Sequence, residues 1–249
     1  MTEVAASATT KPDYGIDAPV FQRAAVIGGL LGVVVGRMMI DRGQLQSVEW
    51  PVQLGPAFIS SGLSFFLVGC ISLWGSKFGK LHLRDKILNS IHWRGDEQVL
   101  DVGCGHGLML IGAAKRLTSG RATAIDVWSQ VDQGNNSAEA TLENARREGV
   151  VERVEIKNAD ARELPFANNS FDVILSSFVI HNIAGAPERE RAIREIARVL
   201  KPGGQLALAD IWHTAAYEKT LRSLGWETNR WPPNFLFVTP TRVLRATKP

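Results

Sequence analysis

Cysteine is scarce in this chain. There are two, Cys70 in an apolar run and Cys104 in a glycine-rich turn, too few for a disulfide framework or a cysteine-based metal site. That usage fits a reducing, cytosol-facing protein. A dominant charge is also lacking. Lys and Arg total 28 against 25 Asp and Glu, leaving +3 over 249 residues, too small an excess for a general nucleic-acid binder. The alternation of Arg189, Arg191, Arg194 and Arg198 with Glu188, Glu190 and Glu195 reads as a solvated helix face. The five histidines show no metal-ligand spacing. Hydrophobic residues make up 45% and charged residues 21%, which excludes the disordered and collagen-like classes.

The most informative absence is local. No charge occurs between Glu49 and Lys77, so residues 50–76 are an uncharged run of 27, where a membrane span needs only about 20. Trp50 and Trp74 lie near its ends, where indole rings favour the interface. Pro51 and Pro56 suit a helix start better than a helix middle. An earlier apolar run, residues 24–36, reaches spanning length if Arg37 snorkels and Met38, Met39 and Ile40 are counted. Gly28, Gly32 and Gly36 recur every four residues and predict a smooth helix face that a second helix can approach closely. Together the runs predict a transmembrane helical hairpin. Lys77, Lys80, Arg84 and Lys86 follow it and place the remaining chain on the cytoplasmic side. The expected organisation is a cytosolic tail over residues 1–22, a two-helix membrane anchor over 23–78 and a soluble domain over 79–249.

Beyond Gly79 the composition becomes that of an α/β domain. A leading helix is predicted over residues 81–93, then strands at 98–102, 121–126, 154–158, 171–176 and 205–209, with helices at 108–117, 138–147 and 189–200 between them. Such alternation implies a Rossmann-like, doubly wound, mainly parallel sheet covered on both faces. Ligands of such sheets bind beyond the carboxyl ends of the strands. The first strand leads into Asp101-Val102-Gly103-Cys104-Gly105-His106-Gly107, whose alternate glycines let the backbone turn tightly and approach a ligand. Leu108 stands where a dinucleotide fingerprint counted from Gly103 would require glycine, which disfavours a nucleotide-dependent oxidoreductase. Asp126 ends the second strand, where a carboxylate can accept both hydroxyls of a ribose.

From Leu81 onward these residues resemble the class I S-adenosylmethionine-dependent methyltransferases. The likeness is a series: Val99-Leu100-Asp101-Val102-Gly103-Cys104-Gly105, Ala124-Ile125-Asp126, Asn158-Ala159-Asp160-Ala161 with Leu164-Pro165-Phe166, Ser170-Phe171-Asp172-Val173-Ile174, and Arg198-Val199-Leu200-Lys201-Pro202-Gly203-Gly204. The resemblance implies a seven-stranded sheet and S-adenosylmethionine as cofactor. It implies Asp101, Gly103, Gly105 and Gly107 around the methionine part, Asp126 on the ribose, Val127 against the adenine, Asp160 and the backbone of Ala161 at the adenine edge, and Ser177 bordering the cofactor. His106 departs from the small or hydroxyl residue common at its position.

Methyl transfer from a sulfonium depends chiefly on positioning, and a general base matters only where the acceptor has a proton to lose. His181, just beyond the fourth strand, is the catalytic candidate. His213, after the fifth, is a weaker one. His82 and His92 belong to the leading helix, and residues 129–137 read as a loop near the cofactor. The expected acceptor is a small, lipid- or quinone-like molecule rather than a nucleic acid, since no Asn-Pro-Pro-Tyr or Asp-Pro-Pro-Tyr motif follows the fourth strand. The alternative is a catalytically idle, membrane-tethered module that binds the cofactor.

Overall fold

The computed structural model describes residues 11–46, 49–129, 136–236 and 239–249. Two long helices, α1 (Pro19–Gln46) and α2 (Glu49–Trp74), lie antiparallel against one another. Glycine makes their contact possible. A Cβ at Gly62 would stand 2.7 Å from the carbonyl oxygen of Gly29, and one at Gly36 would stand 2.6 Å from that of Gly55. The seam runs through Gly29, Gly32 and Gly36 on α1 and Gly55, Gly62 and Gly69 on α2, a heptad-like spacing. This corrects the four-residue stripe: a four-residue step overshoots the 3.6-residue turn, so Gly28 faces open space and Gly29 takes the contact. Pro56 also lies inside α2 rather than at its start.

Both helices are long and apolar enough to cross a membrane. Their outer faces expose Leu30, Leu31, Val34, Leu63, Phe65 and Leu67, with Trp50 and Trp74 exposed near the ends of α2. Burial in a soluble core therefore does not account for their composition. From α2 the chain continues through one π-helical turn, Gly75–Gly79, into α3 (Lys80–Leu88). Lys80 is buried rather than set at the surface, its Nζ donating to the carbonyls of Tyr14 at 2.8 Å and Gly15 at 2.7 Å.

The strands are β1 (Gln98–Val102), β2 (Arg121–Asp126), β3 (Val154–Asn158), β4 (Phe171–Ser177), β5 (Leu200–Asp210), β6 (Glu227–Arg230) and β7 (Arg242–Thr247). They form one sheet in the order β3-β2-β1-β4-β5-β7-β6. The first five are mutually parallel, and β7 runs antiparallel to both neighbours. Helices α4 (Leu108–Ala114), α5 (Ala138–Arg147), α6 (Ala186–Val199) and α7 (Thr214–Ser223) complete the domain. Alternation along β1 divides the core: Val99 packs with Leu83, Ile87, Leu110 and Ile111 on one face, while Leu100 and Val102 pack with Ile193, Ile196, Tyr217 and Leu221 on the other. Each such side chain contributes about 1.5–3 kcal/mol on burial. Ser137 caps α5 by accepting the N–H of Ala140 at 3.2 Å.

Strand order reverses between β1 and β4, which opens a crevice at their carboxyl ends. The leading helix stops at Leu88, short of Trp93, whose indole Nε1 returns to the carbonyl of Leu88 at 2.7 Å.

Candidate active site

Beyond β1 the turn is built from Gly103, Gly105 and Gly107 with φ of +75°, +50° and +84°, a region L side chains rarely adopt. A Cβ on Gly103 would lie 2.3 Å from Cγ2 of Val179. The turn is held from β2: the N–H groups of Gly103 and Cys104 donate to the carbonyl of Ile125, and that of Gly105 donates to Oδ2 of Asp126 at 2.8 Å.

Asp101 is buried within β1. Its Oδ2 accepts the N–H of Leu110 at 2.8 Å, while Oδ1 has no hydrogen-bond partner among the described residues. Burial pushes this carboxyl up to about 7, with Asp126 adding to the rise and the Leu110 N–H opposing it. Asp126 is anchored at the end of β2, its Oδ1 accepting the N–H of Trp128 at 2.7 Å. Asp160 is gripped by Arg162, whose Nε lies 3.0 Å from both carboxylate oxygens. That guanidinium holds the Asp160 carboxyl below its ordinary range.

These groups face one cavity of about 660 Å³, within the range of about 300–1,000 Å³ usual for small-molecule sites. Asp101, Gly103, Gly105, Asp126, Val127, Asp160, Ala161, Ser177 and His181 all line it. Gly107 is not among the lining residues; its left-handed backbone begins α4, and a Cβ there would meet Thr141. His106 lines the cavity as a buried side chain. His213, His82 and His92 are exposed and outside it. Of the loop over 129–137, residues 130–135 lie outside those described, and Ser129 and Asn136 line the cavity.

His181 is held by Asp210, the fully buried last residue of β5. Its imidazole Nδ1 lies 2.5 Å from Asp210 Oδ1. Asp210 Oδ2 accepts the His181 backbone N–H at 3.1 Å and the Tyr217 hydroxyl at 3.4 Å. The ring of Trp212 meets His181 edge-on with centroids 5.7 Å apart. The opposite part of the lining comes from the N-terminal region: Tyr14, Asp17, Phe21, Gln22, Ser72 and Ser76.

The cavity fits the cofactor that the sequence resemblance implies. Asp101, Asp126 and Asp160 border it at the strand ends, Asp101 Oδ1 invites a cationic donor, and the Gly103 turn has no room for a Cβ. Residues 100–208 match the family described as a methyltransferase domain. This chain carries a class I S-adenosylmethionine-dependent methyltransferase domain. Among its relatives is a 27-O-demethylrifamycin SV methyltransferase of Amycolatopsis mediterranei, 36% identical over 129 residues, which are 51% of this chain and 43% of that protein. Another is a ubiquinone/menaquinone biosynthesis C-methyltransferase of Dinoroseobacter shibae, 35% identical over 135 residues, 53% of this chain and 50% of the other. The chain spans half or less of the length of these curated relatives. The fold matches the [4+2]-cyclase SpnF with a TM-score of 0.57 at 22% identity, covering 68% of this chain and 80% of that one.

Within the methyltransferase domain, two side chains went unnoticed in the sequence. Asp210 carries a signal like that of Asp126, an acidic residue directly after a predicted strand. Arg162 carries none, because its partner Asp160 is only two residues away and the pairing depends on the turn after β3.

Proposed function

We propose that the protein is an S-adenosylmethionine-dependent methyltransferase, anchored in a membrane by α1 and α2, that methylates a small lipophilic acceptor from the cytoplasmic side. One observation carries this reading. A single cavity joins the acidic, glycine-rich end of the sheet to the base of the two apolar helices, with His181 on its wall.

When bound, the cofactor supplies a methyl group on a positively charged sulfur that departs neutral after in-line displacement. Asp101 Oδ1 would take the ammonium of the methionine part, Asp126 the ribose hydroxyls, Val127 would lie against the adenine, and Asp160 with the Ala161 backbone would meet its edge. A carboxylate beside Nδ1 favours the tautomer protonated there, which leaves Nε2 of His181 to accept the proton of a hydroxyl acceptor. The apolar helices confine the domain to the plane where a lipophilic acceptor concentrates, raising encounter without any new contact. The quinone and rifamycin relatives are consistent with such an acceptor.

Calorimetric titration of the full chain in nanodiscs with S-adenosylmethionine and with NADH tests the reading. Binding of the first and not the second, with methyl loss on adding a membrane lipid extract, is the expected result. Binding without methyl loss on any extract favours the idle module instead.

A further inference from the structure

Gln22 lies in the first turns of α1 and is 2% exposed, yet it lines the cavity that Asp101, Asp126 and His181 also line. Its Nε2 donates to the Asp17 carbonyl at 2.9 Å, the Ser72 carbonyl at 3.2 Å and the Ser72 hydroxyl at 3.1 Å. Carbonyl oxygens only accept, so the amide nitrogen must face them and the amide oxygen must point away. That oxygen, Oε1, is buried and has no hydrogen-bond partner among the described residues. Two other polar side chains that line the cavity, Ser76 and Lys80, are engaged elsewhere. Ser76 accepts the N–H of Asp17 at 2.8 Å and donates to the Asp17 carboxylate at 3.1 Å, and Lys80 is held by the Tyr14 and Gly15 carbonyls. A buried acceptor left without a donor is disfavoured, and because Gln22 forms part of the cavity wall, a group that fills the cavity is placed to supply one. Phe21, beside Gln22, lines the same cavity and is 47% exposed, so an apolar surface leads from the cavity onto the helix.

We propose that Gln22 is a specificity-determining residue of an acceptor subsite built by the base of the two apolar helices. Its Oε1 accepts a hydrogen bond from a hydroxyl or N–H on the polar head of an amphiphile, whose apolar tail leaves past Phe21 along α1. This rests on the proposed function in taking the methyl acceptor as the occupant. The chemistry selects. A head offering only carbonyl or ether oxygen at that point sets two acceptors against each other and is rejected, as sites built around a buried polar group reject analogues lacking its partner.

The test uses the full chain in phosphatidylcholine nanodiscs saturated with S-adenosylhomocysteine, so that binding is read without turnover. The probes are 4-dodecylphenol, which has the donor, and its methyl ether, which does not, followed by tryptophan fluorescence. The wild type is expected to bind the phenol about tenfold tighter or more than the ether, the scale of one hydrogen bond. Gln22→Leu should bind both alike, with S-adenosylhomocysteine affinity unchanged. Equal affinity of the wild type for both probes, binding of neither, or a preference retained in Gln22→Leu overturns the proposal. Gln22→Ala gives the same comparison if Gln22→Leu fails to fold. Because no methyl is transferred in the titration, a failure of the proposed activity shows separately, as absent turnover with the probe preference intact.

Discussion

One carboxylate holds both the backbone and the ring of one histidine: Asp210 takes the N–H of His181 on Oδ2 and sits 2.5 Å from its Nδ1 through Oδ1. The imidazole is thereby held in place, with a carboxylate beside Nδ1, by a residue from the neighbouring strand β5. Replacing His181 with Ala is expected to lower kcat by about 10²–10⁴-fold, the scale of a lost general base, while the dissociation constant for S-adenosylmethionine stays within about twofold of wild type. Asp210→Asn should lower kcat in the same direction with unchanged cofactor affinity. Parallel loss of cofactor binding and turnover in both variants would assign the pair to structure alone.

Asp101 yields a pH dependence. Its carboxyl is raised to about 7 by burial, so in the free protein it is largely protonated below that value. A folded pKa above the unfolded one contributes stability that is fully present near pH 4 and is lost as pH rises through about 7. Thermal unfolding of the free protein should therefore show this loss, and Asp101→Asn should flatten it. Cofactor binding runs the other way, since an ammonium on Oδ1 favours the ionised carboxyl. Affinity should rise between pH 5 and about 7, with release of a proton measurable by calorimetry in buffers of different ionisation enthalpy. An affinity independent of pH over that range would remove the ammonium from Asp101.

Asp126→Ala is expected to weaken S-adenosylmethionine by about 1–3 kcal/mol, the scale for a charged hydrogen-bond acceptor. Part of that loss comes through the glycine turn, because Asp126 Oδ2 also holds the Gly105 N–H. Asp126→Asn, which keeps one acceptor oxygen, should lose less. Titration calorimetry on the folded variants checks the order.

Gly62→Leu should separate α1 from α2, because even a Cβ there meets backbone atoms of Gly29 and Val33 at 2.7 Å and backbone cannot yield as a side chain does. Gly28→Ala, facing open space, should be neutral. Cross-linking yield between cysteines placed on the two helices distinguishes them.

Much of this arrangement was legible because strand ends and glycine turns are local signals. The five parallel strands were expected within a few residues; the glycine turn and Asp126 followed from that order, and the remaining cofactor residues from the family resemblance. β6 and β7 were harder to place: Glu227–Arg230 is mostly exposed, so no apolar alternation marks it. Gly29 was missed in favour of Gly28 because two adjacent glycines leave the facing direction open until the partner helix is known. Lys80 read as a surface cation, and only the return of residues 13–17 across α3 explains its burial. Gln22 gave no signal at all, since its role depends on Ser72 of α2, 50 residues away.

The most direct test of the account follows the label from methyl-tritiated S-adenosylmethionine when the full chain, in nanodiscs, is mixed with a membrane lipid extract. The account predicts that tritium moves into the organic phase, that the movement falls by at least about 10² with His181→Ala, and that a water-soluble acceptor pool added at equal concentration takes up little. Label that enters the aqueous acceptors and leaves the lipid fraction unlabelled would contradict it.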